Sequence, residues 1–179
     1  MNRRDVVAGG RDLAALNRKF LGLLGQGSGG GLGLEHGLRL RVAGLAPAAA
    51  RRLANLPFAL FGFRFAQPQE WAALLSLRVT EPVATVEPDL ERFTLLALAF
   101  LRHQALHEPR RAAACLGLPA AIGLRLVELE IGALAELAPA VAGRLRCRFT
   151  GMPGVWQAML AGCEDDDARL LEVARALGL

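Results

Sequence analysis

The chain has 179 residues and a net charge of +4, and 53% of its residues are hydrophobic. This composition excludes an intrinsically disordered chain, and the length is enough to bury one compact core or two small ones. Leucine and alanine, with 35 and 32 residues, exceed a third of the sequence and predict a mainly α-helical fold. The 20 arginines stand against one lysine, as is typical of GC-rich bacterial genomes, so arginine alone indicates phosphate binding only weakly.

The charge is distributed unevenly along the chain. Residues 1–78 carry 11 basic and 4 acidic side chains, whereas residues 79–117 and 118–179 are slightly acidic. A basic first half would attract nucleic acid, anionic lipid or an acidic protein, and it could equally be a solvated arginine-rich surface. The three cysteines form no CxxC pair. Together with the lack of a secretory signal or a long apolar stretch, this predicts a cytoplasmic protein without a membrane span.

The first half predicts helices that are separated by glycine- and proline-containing turns. A first helix starts with Asp12 as its N-cap, and a glycine-rich loop at 25–33 separates it from a second helix at 35–43. A third helix begins at Pro47, where the missing N–H costs little. The later expected elements of this half are a short strand at 61–65, a short helix that opens at Trp71, and a linker at 79–89.

The second half predicts a similar order with longer helices. Its expected elements are helices at 90–107, 110–116, 119–129 and 132–137, a short strand at 144–149, a helix that opens at Trp156, and a last helix capped by the acidic run 164–167. The apolar residues of the two strands are predicted to be buried, namely Phe61, Phe63, Phe65, Leu145 and Phe149.

The two halves resemble each other in sequence. The matching pairs are Gly44-Leu45-Ala46-Pro47 with Gly117-Leu118-Pro119, Phe63-Arg64-Phe65 with Cys147-Arg148-Phe149, and Trp71 with Trp156. We predict an internal duplication with a first unit at 1–78, a linker at 79–89 and a second unit at 90–179. The second unit has an extra helical segment at 130–140, and the two units are expected to form a pseudo-twofold arrangement, as in a fused dimer. Chance similarity between helices rich in alanine and leucine is the alternative.

Two motifs suggest enzyme chemistry, but each has a simpler interpretation. Gly25, Gly27 and Gly30 have the spacing of a dinucleotide-binding fingerprint, yet they follow a helical pattern and not a strand. His103 and His107 lie four residues apart on one helix and could share a metal ion, as in a small metal-dependent enzyme. No third ligand stands at a diagnostic spacing, which favours a polar surface. The two serines have no nucleophile–base partners, so the sequence predicts a non-enzymatic protein without a catalytic, metal or cofactor site.

Arginines form the remaining candidate site, for nucleic acid or for an acidic partner. The candidate residues are Arg39, Arg41, Arg51, Arg52, Arg64, Arg146 and Arg148. The first four flank the turn at Gly44 on two predicted helices, where paired guanidiniums could bind phosphates. Arg146 and Arg148 would share one face of an alternating strand with Arg144. That face could equally be the wet side of a half-buried strand.

The core pattern of the second half carries a family resemblance. Its parts are a leucine-rich helix at 95–106, the turn Leu116-Gly117-Leu118, leucines at 126, 129, 134 and 137, and the triplet Cys147-Arg148-Phe149. Over about residues 93–160 the chain is similar to FlhD, the bacterial flagellar transcriptional activator subunit. The first half looks like a shortened copy. The resemblance implies a helical, dimerising subunit that helps a partner such as FlhC bind promoter DNA. The family's intersubunit cysteine falls on Leu145, so its disulfide is not expected.

The alternative function is a structural or adaptor subunit of a bacterial motility or secretion assembly that works by protein contacts alone. Both hypotheses predict a protein partner, an oligomer or hetero-complex, and no cofactor. Salt-dependent binding to duplex DNA distinguishes them, because phosphate contacts release counterions.

Overall fold

The structure is a computed structural model, and it describes residues 3–65, 68–76 and 86–165. This described part consists of nine α-helices, a 3-10 turn and one two-stranded sheet, which confirms the predicted mainly α-helical fold. In chain order the elements are α1 (Arg3–Gln26), α2 (His36–Ala43), α3 (Pro47–Ala54), β1 (Phe61–Gly62), α4 (Pro68–Ser76), α5 (Pro88–His107), α6 (Pro109–Leu116), α7 (Ala120–Glu128), α8 (Ile131–Ala142), β2 (Arg146–Cys147) and α9 (Pro153–Asp165).

The chain divides into two compact units that do not follow the order of the sequence. Unit 1 comprises residues 1–61 and 146–179, and unit 2 comprises residues 62–145. Unit 1 therefore contains α1, α2, α3 and α9, whereas unit 2 contains α4 to α8. The helix that follows each strand thus packs with helices from the other half of the sequence. The boundaries at 1–78 and 90–179 concern the sequence repeat and stay a prediction.

Unit 1 is organised around helix α1. Helix α1 packs against α2 and α3, and α9 packs against the same two helices. The core residues of α1 follow the apolar spacing of its sequence, and they include Leu13, Leu16, Phe20, Leu23 and Leu24. The prediction that Asp12 caps this helix is wrong, because α1 begins at Arg3. Glycine costs a helix about 1 kcal/mol but keeps its N–H, so the pair at 9–10 does not end the helix as proline would.

The glycine-rich loop at 25–33 is anchored in the core of unit 1. Leu32 is 1% exposed, although its φ of 51° is unusual for a leucine. Its carbonyl accepts a hydrogen bond from the Cys147 N–H at 2.8 Å. Three glycines of the loop take positive φ, namely Gly27, Gly30 and Gly33. They lie between two helices, which is not the strand-to-helix setting that a dinucleotide-binding fingerprint requires.

Unit 2 is organised around helix α5. Helix α5 packs against α6, α7 and α8, and α4 packs against α7 and α8. The buried face of α5 consists of Leu90, Phe93, Thr94, Ala97, Leu98, Leu101 and Gln104. The extra segment predicted at 130–140 is helical, as expected, and forms α8 with Leu134, Leu137 and Val141 in the core.

The two predicted strands are shorter than expected. The segment at 61–65 contributes only β1 and the segment at 144–149 only β2, and the two strands pair. Left-handed residues end the extended backbone soon after each strand, because Arg64 has a φ of 51° and Phe149 a φ of 61°. A left-handed residue breaks the alternation of side chains on which a strand prediction depends.

The same breaks explain which aromatic residues are buried. Phe61, Phe63 and Leu145 are buried as predicted. Phe65 and Phe149 are only half-buried, so their predicted burial is wrong. Both lie at or beyond the left-handed residue, where the chain has left the strand.

Several local features occur at the same relative position in both halves. Strands β1 and β2, the starts of α4 and α9, and the two tryptophans are separated by one constant spacing. The left-handed residues Arg64 and Phe149 share this spacing. At this spacing Arg64 of the first half corresponds to Phe149 of the second half. The sequence match of the two triplets is offset from this correspondence by one residue. The turns differ, since Gly44 has a φ of −88° and Gly117 a φ of 63°. The duplication and its pseudo-twofold arrangement stay predictions.

Candidate interaction site and arginine clamps

Helix α9 is held in unit 1 by a deeply buried apolar face. Trp156, Met159, Leu160 and Cys163 are all 0% exposed. The Trp156 Nε1–H donates a hydrogen bond to the Arg148 carbonyl at 2.7 Å, which satisfies the polar atom of the buried indole. The helix is thus part of the core of unit 1.

Two of the predicted site arginines hold the C-terminal end of α9. Arg52 of α3 donates two hydrogen bonds, from Nε and Nη2, to the Cys163 carbonyl at 2.8 and 2.6 Å. Arg41 of α2 pairs with Glu164 at 3.1 Å. The last turn of a helix carries partial negative charge, to which Glu164 adds, so two guanidiniums there are favourable. Glu164 lies in the last turn of α9, and the last helix that was predicted to follow the acidic run 164–167 falls outside the described residues. Residues 166–179 lie outside the described part.

Helix α4 is held in unit 2 by comparable contacts. Trp71 is 0% exposed, and its Nε1–H donates to the Phe63 carbonyl at 3.3 Å. Arg125 of α7 donates to the Ser76 hydroxyl at 3.3 Å, at the C-terminal end of α4. Glu70 of α4 forms an ion pair with Arg144. Arg144 lies outside β2 and belongs to unit 2, whereas Arg146 and Arg148, with which it was predicted to share a strand face, belong to unit 1.

Arg125 is an interacting residue that was not predicted from the sequence. Its position in the sequence repeat could have indicated this role. Arg52 lies in the helix that follows the Gly44 turn, and Arg125 lies in the helix that follows the Gly117 turn. Each of these arginines contacts the C-terminal end of the helix that docks from the other half.

A second pair of contacts fixes the chain where α3 and α7 end. Asn17 is 0% exposed. Its side chain donates to two carbonyls, at Ala54 and Phe58, and accepts a hydrogen bond from the Leu60 N–H at 3.0 Å. In unit 2, the half-buried Arg102 donates to two carbonyls, at Val127 and Leu129.

The other predicted site arginines differ in their contacts and in their exposure. Six of the seven belong to unit 1, and Arg64 belongs to unit 2, where it is exposed. Arg39 contacts the His36 ring at 3.0 Å, and Arg148 lies over the Phe149 ring at 4.8 Å. Arg146 is half-buried. Arg51 is exposed, and no described residue accepts a hydrogen bond from its side chain.

The two candidate metal ligands are neighbours on the surface of α5. The rings of His103 and His107 lie 4.5 Å apart, centroid to centroid, and both residues are exposed. Glu108, which follows His107, pairs with Arg111 at 3.3 Å. Across the described ranges, no group of three or more histidine, cysteine or acidic residues could hold a metal ion.

Two of the three thiols are protected by burial. Desolvation raises the pKa of Cys147 to about 12 and also raises the pKa of Cys163. A nucleophilic cysteine requires the opposite shift, because the thiolate is the reactive form. Both thiols therefore belong to the apolar core of unit 1.

No protein-family model, curated protein or solved structure matches the chain. In the part of the chain that the structure describes, no helix combines the length and apolar character needed to cross a membrane. The resemblance to FlhD remains a prediction.

Proposed function

We propose that the chain is a non-enzymatic bacterial transcriptional regulator of the FlhD kind that acts with a partner subunit on promoter DNA. The proposal is supported by the helical frame, by the core pattern of the second half and by the basic first half. The observation that carries it is the different use of two adjacent arginines. Arg52 contacts α9, whereas Arg51 beside it is exposed to solvent.

The setting of Arg51 also suits contact with a nucleic acid. Helices α2 and α3 have eight residues each, and a three-residue turn at 44–46 joins them. These lengths are typical of a helix-turn-helix, in which the second helix contacts DNA. Arg51 lies on that second helix, α3. Arg39, Arg41, Arg64, Arg146 and Arg148 complete the proposed basic set, of which Arg41 already pairs with Glu164.

The second candidate function is an adaptor subunit that uses protein contacts alone. Two observations favour it: Arg41 and Arg52 are engaged inside unit 1, and large apolar side chains are exposed. The exposed apolar residues include Leu40 at 60%, Leu124 at 68% and Ile131 at 75%. Such side chains suit a protein partner better than a phosphate backbone.

A DNA titration with and without the native partner tests the first candidate. The partner is recovered by pull-down from the native cell, and labelled duplex is titrated at about 50 mM and about 200 mM salt. Arg51→Ala should weaken binding equally for different sequences and reduce the salt slope by about 1. Arg52→Ala is the matched control, since it removes the same charge one residue away. Arg52→Ala should lower stability more than DNA affinity.

The titration also decides between the two candidates. Salt-sensitive binding that Arg51→Ala weakens supports the regulator. Binding that is insensitive to salt or absent in both conditions, together with a stable complex with an assembly protein, supports the adaptor.

A further inference from the structure

We propose that the last helix of each half of the chain is a docking element that binds in trans. The N-terminal half comprises α1 to α4, and the C-terminal half comprises α5 to α9. In this proposal, α9 docks on α2 and α3 of an N-terminal half, and α4 docks on α7 and α8 of a C-terminal half. The two halves then remain together without a covalent link between α4 and α5. The proposal does not depend on the proposed function.

The first support is the order of elements within the two compact units. The chain leaves unit 1 after Phe61 and returns to it after Leu145. As a result, α4 of the N-terminal half lies in unit 2 and packs against α7 and α8. Helix α9 of the C-terminal half lies in unit 1 and packs against α2 and α3. Each half therefore completes the unit of the other half with its own terminal helix.

The second support is the depth at which the two helices are buried. Trp71 of α4 and Trp156 of α9 are both 0% exposed, and Leu160 of α9 is also 0% exposed. A half on its own would lose the two helices against which its terminal helix packs. The helices that receive it, α2 and α3 or α7 and α8, would also lose that packing partner. Exposure of so much apolar surface favours association of the two halves.

The third support is that both docked helices are contacted in the same way at their C-terminal ends. Arg52 of α3 binds the Cys163 carbonyl of α9, and Arg125 of α7 binds the Ser76 hydroxyl of α4. These directional contacts fix the register of each helix on its docking face, which apolar burial alone does not. The partner that fits each face is therefore the terminal helix of the other half of this chain.

The experiment cuts the folded full-length protein between the halves. A protease recognition sequence is inserted between Ser76 and Val86, and the cut protein is analysed by gel filtration without denaturant. The two fragments should elute together and retain the helical circular dichroism of the uncut chain. Elution as two separate fragments at micromolar concentration, each still helical, would overturn the proposal.

The two tryptophans report directly on docking, because each fragment contains one of them. The fragments are separated in urea, returned singly to buffer and then mixed. Emission of each isolated fragment should be red-shifted, and mixing should restore the blue emission of the uncut chain. Isolated fragments whose emission turns blue at high concentration would bury their tryptophans without the helices of the other half, which would also contradict the proposal. Blue emission at every concentration, unchanged by mixing, would contradict the proposal.

Variants at adjacent positions test the clamp, which is the contact of Arg52 with the Cys163 carbonyl, separately from the general association of the two halves. An N-terminal fragment with Arg52→Ala should bind the C-terminal fragment about 30-fold more weakly, because the substitution removes both charged hydrogen bonds to the Cys163 carbonyl. The same fragment with Arg51→Ala should bind within about twofold of the unaltered fragment, because the Arg51 side chain is exposed and forms no hydrogen bond or ion pair with a described residue. An equal weakening by both substitutions would show that charge alone holds the halves together, and would overturn the clamp.

Discussion

The two docked helices differ in how polar groups secure them. In unit 1, the half-buried Arg52 gives two short hydrogen bonds to a backbone carbonyl of α9. In unit 2, the more exposed Arg125 gives one longer hydrogen bond to a serine hydroxyl of α4. Each docked helix packs against two others, since α9 contacts α2 and α3, and α4 contacts α7 and α8. Helix α9 also buries more large side chains than α4, so the arginine contact in unit 1 adds to the larger apolar face.

A second difference concerns the residues that fix the ends of α3 and α7. Asn17 is fully buried and forms hydrogen bonds with three backbone groups. Its removal would leave these three buried groups without a hydrogen-bond partner. Arg102 is half-buried and engages two carbonyls that lie nearer to water. The energetic consequence of a polar contact depends on whether water can replace it.

Loss of either tryptophan should cause the largest destabilisation. Trp156→Ala and Trp71→Ala each leave a cavity where a 0%-exposed indole was packed. Each should lower the free energy of unfolding by about 3–5 kcal/mol, as measured by urea denaturation. If only Trp156→Ala has such an effect, α4 is not an integral part of unit 2.

Loss of Asn17 should cost more than loss of Arg102. Each orphaned buried group costs about 1–3 kcal/mol, so we expect about 3 kcal/mol for Asn17→Ala and about 1 kcal/mol for Arg102→Ala. Both values come from urea denaturation of the same full-length chain. A larger cost for Arg102→Ala would mean that the carbonyls at Val127 and Leu129 are shielded from water.

The two clamp arginines should also differ in their contribution. Arg52→Ala removes two charged hydrogen bonds and should cost about 2 kcal/mol, whereas Arg125→Ala should cost about 0.5 kcal/mol, because its contact is solvent-exposed. Arg51→Ala is the control, and its melting temperature should equal that of the unaltered protein. Equal costs for Arg52→Ala and Arg125→Ala would remove the contrast between the two units.

Strand β2 has a thiol where β1 has a glycine, and this difference makes the stability depend on pH. Below pH 9.0, the usual pKa, Cys147 is protonated in both states, and burial keeps the folded thiol protonated up to about pH 12. Between these values only the unfolded thiol ionises, so the free energy of unfolding falls as pH rises. At pH 10 the loss should be about 1.4 kcal/mol relative to Cys147→Ala. Parallel pH profiles for the two proteins would refute this assignment.

The sequence predicted the elements better than their partners. Apolar spacing located the helices that carry Phe20 and Leu101, because periodicity is a local property. The predicted start of α1 at Asp12 was wrong, since the glycines at 9–10 weaken the helix without ending it. The two strands were predicted to be longer than they are, because the alternation of aromatic residues does not reveal the left-handed backbone at Arg64 and Phe149.

The exchange of α4 and α9 could not be predicted from local sequence. Both helices follow a strand after a similar turn and begin near a proline, so their patterns fit either unit equally well. The candidate arginines illustrate the same point, because Arg51 and Arg52 are adjacent in sequence but only Arg52 contacts α9. Which of two neighbouring guanidiniums is engaged depends on the helix that packs beside them.

Fluorine NMR of the full-length protein labelled with 5-fluorotryptophan tests the exchange most directly. The two signals are assigned with Trp71→Phe and Trp156→Phe. Leu53→Ala in α3 and Leu126→Ala in α7 are a matched pair, because both leucines are 0% exposed. The account predicts that Leu53→Ala shifts the Trp156 signal more than the Trp71 signal, and that Leu126→Ala does the reverse. The opposite pattern would place each terminal helix with its own half and contradict the exchange.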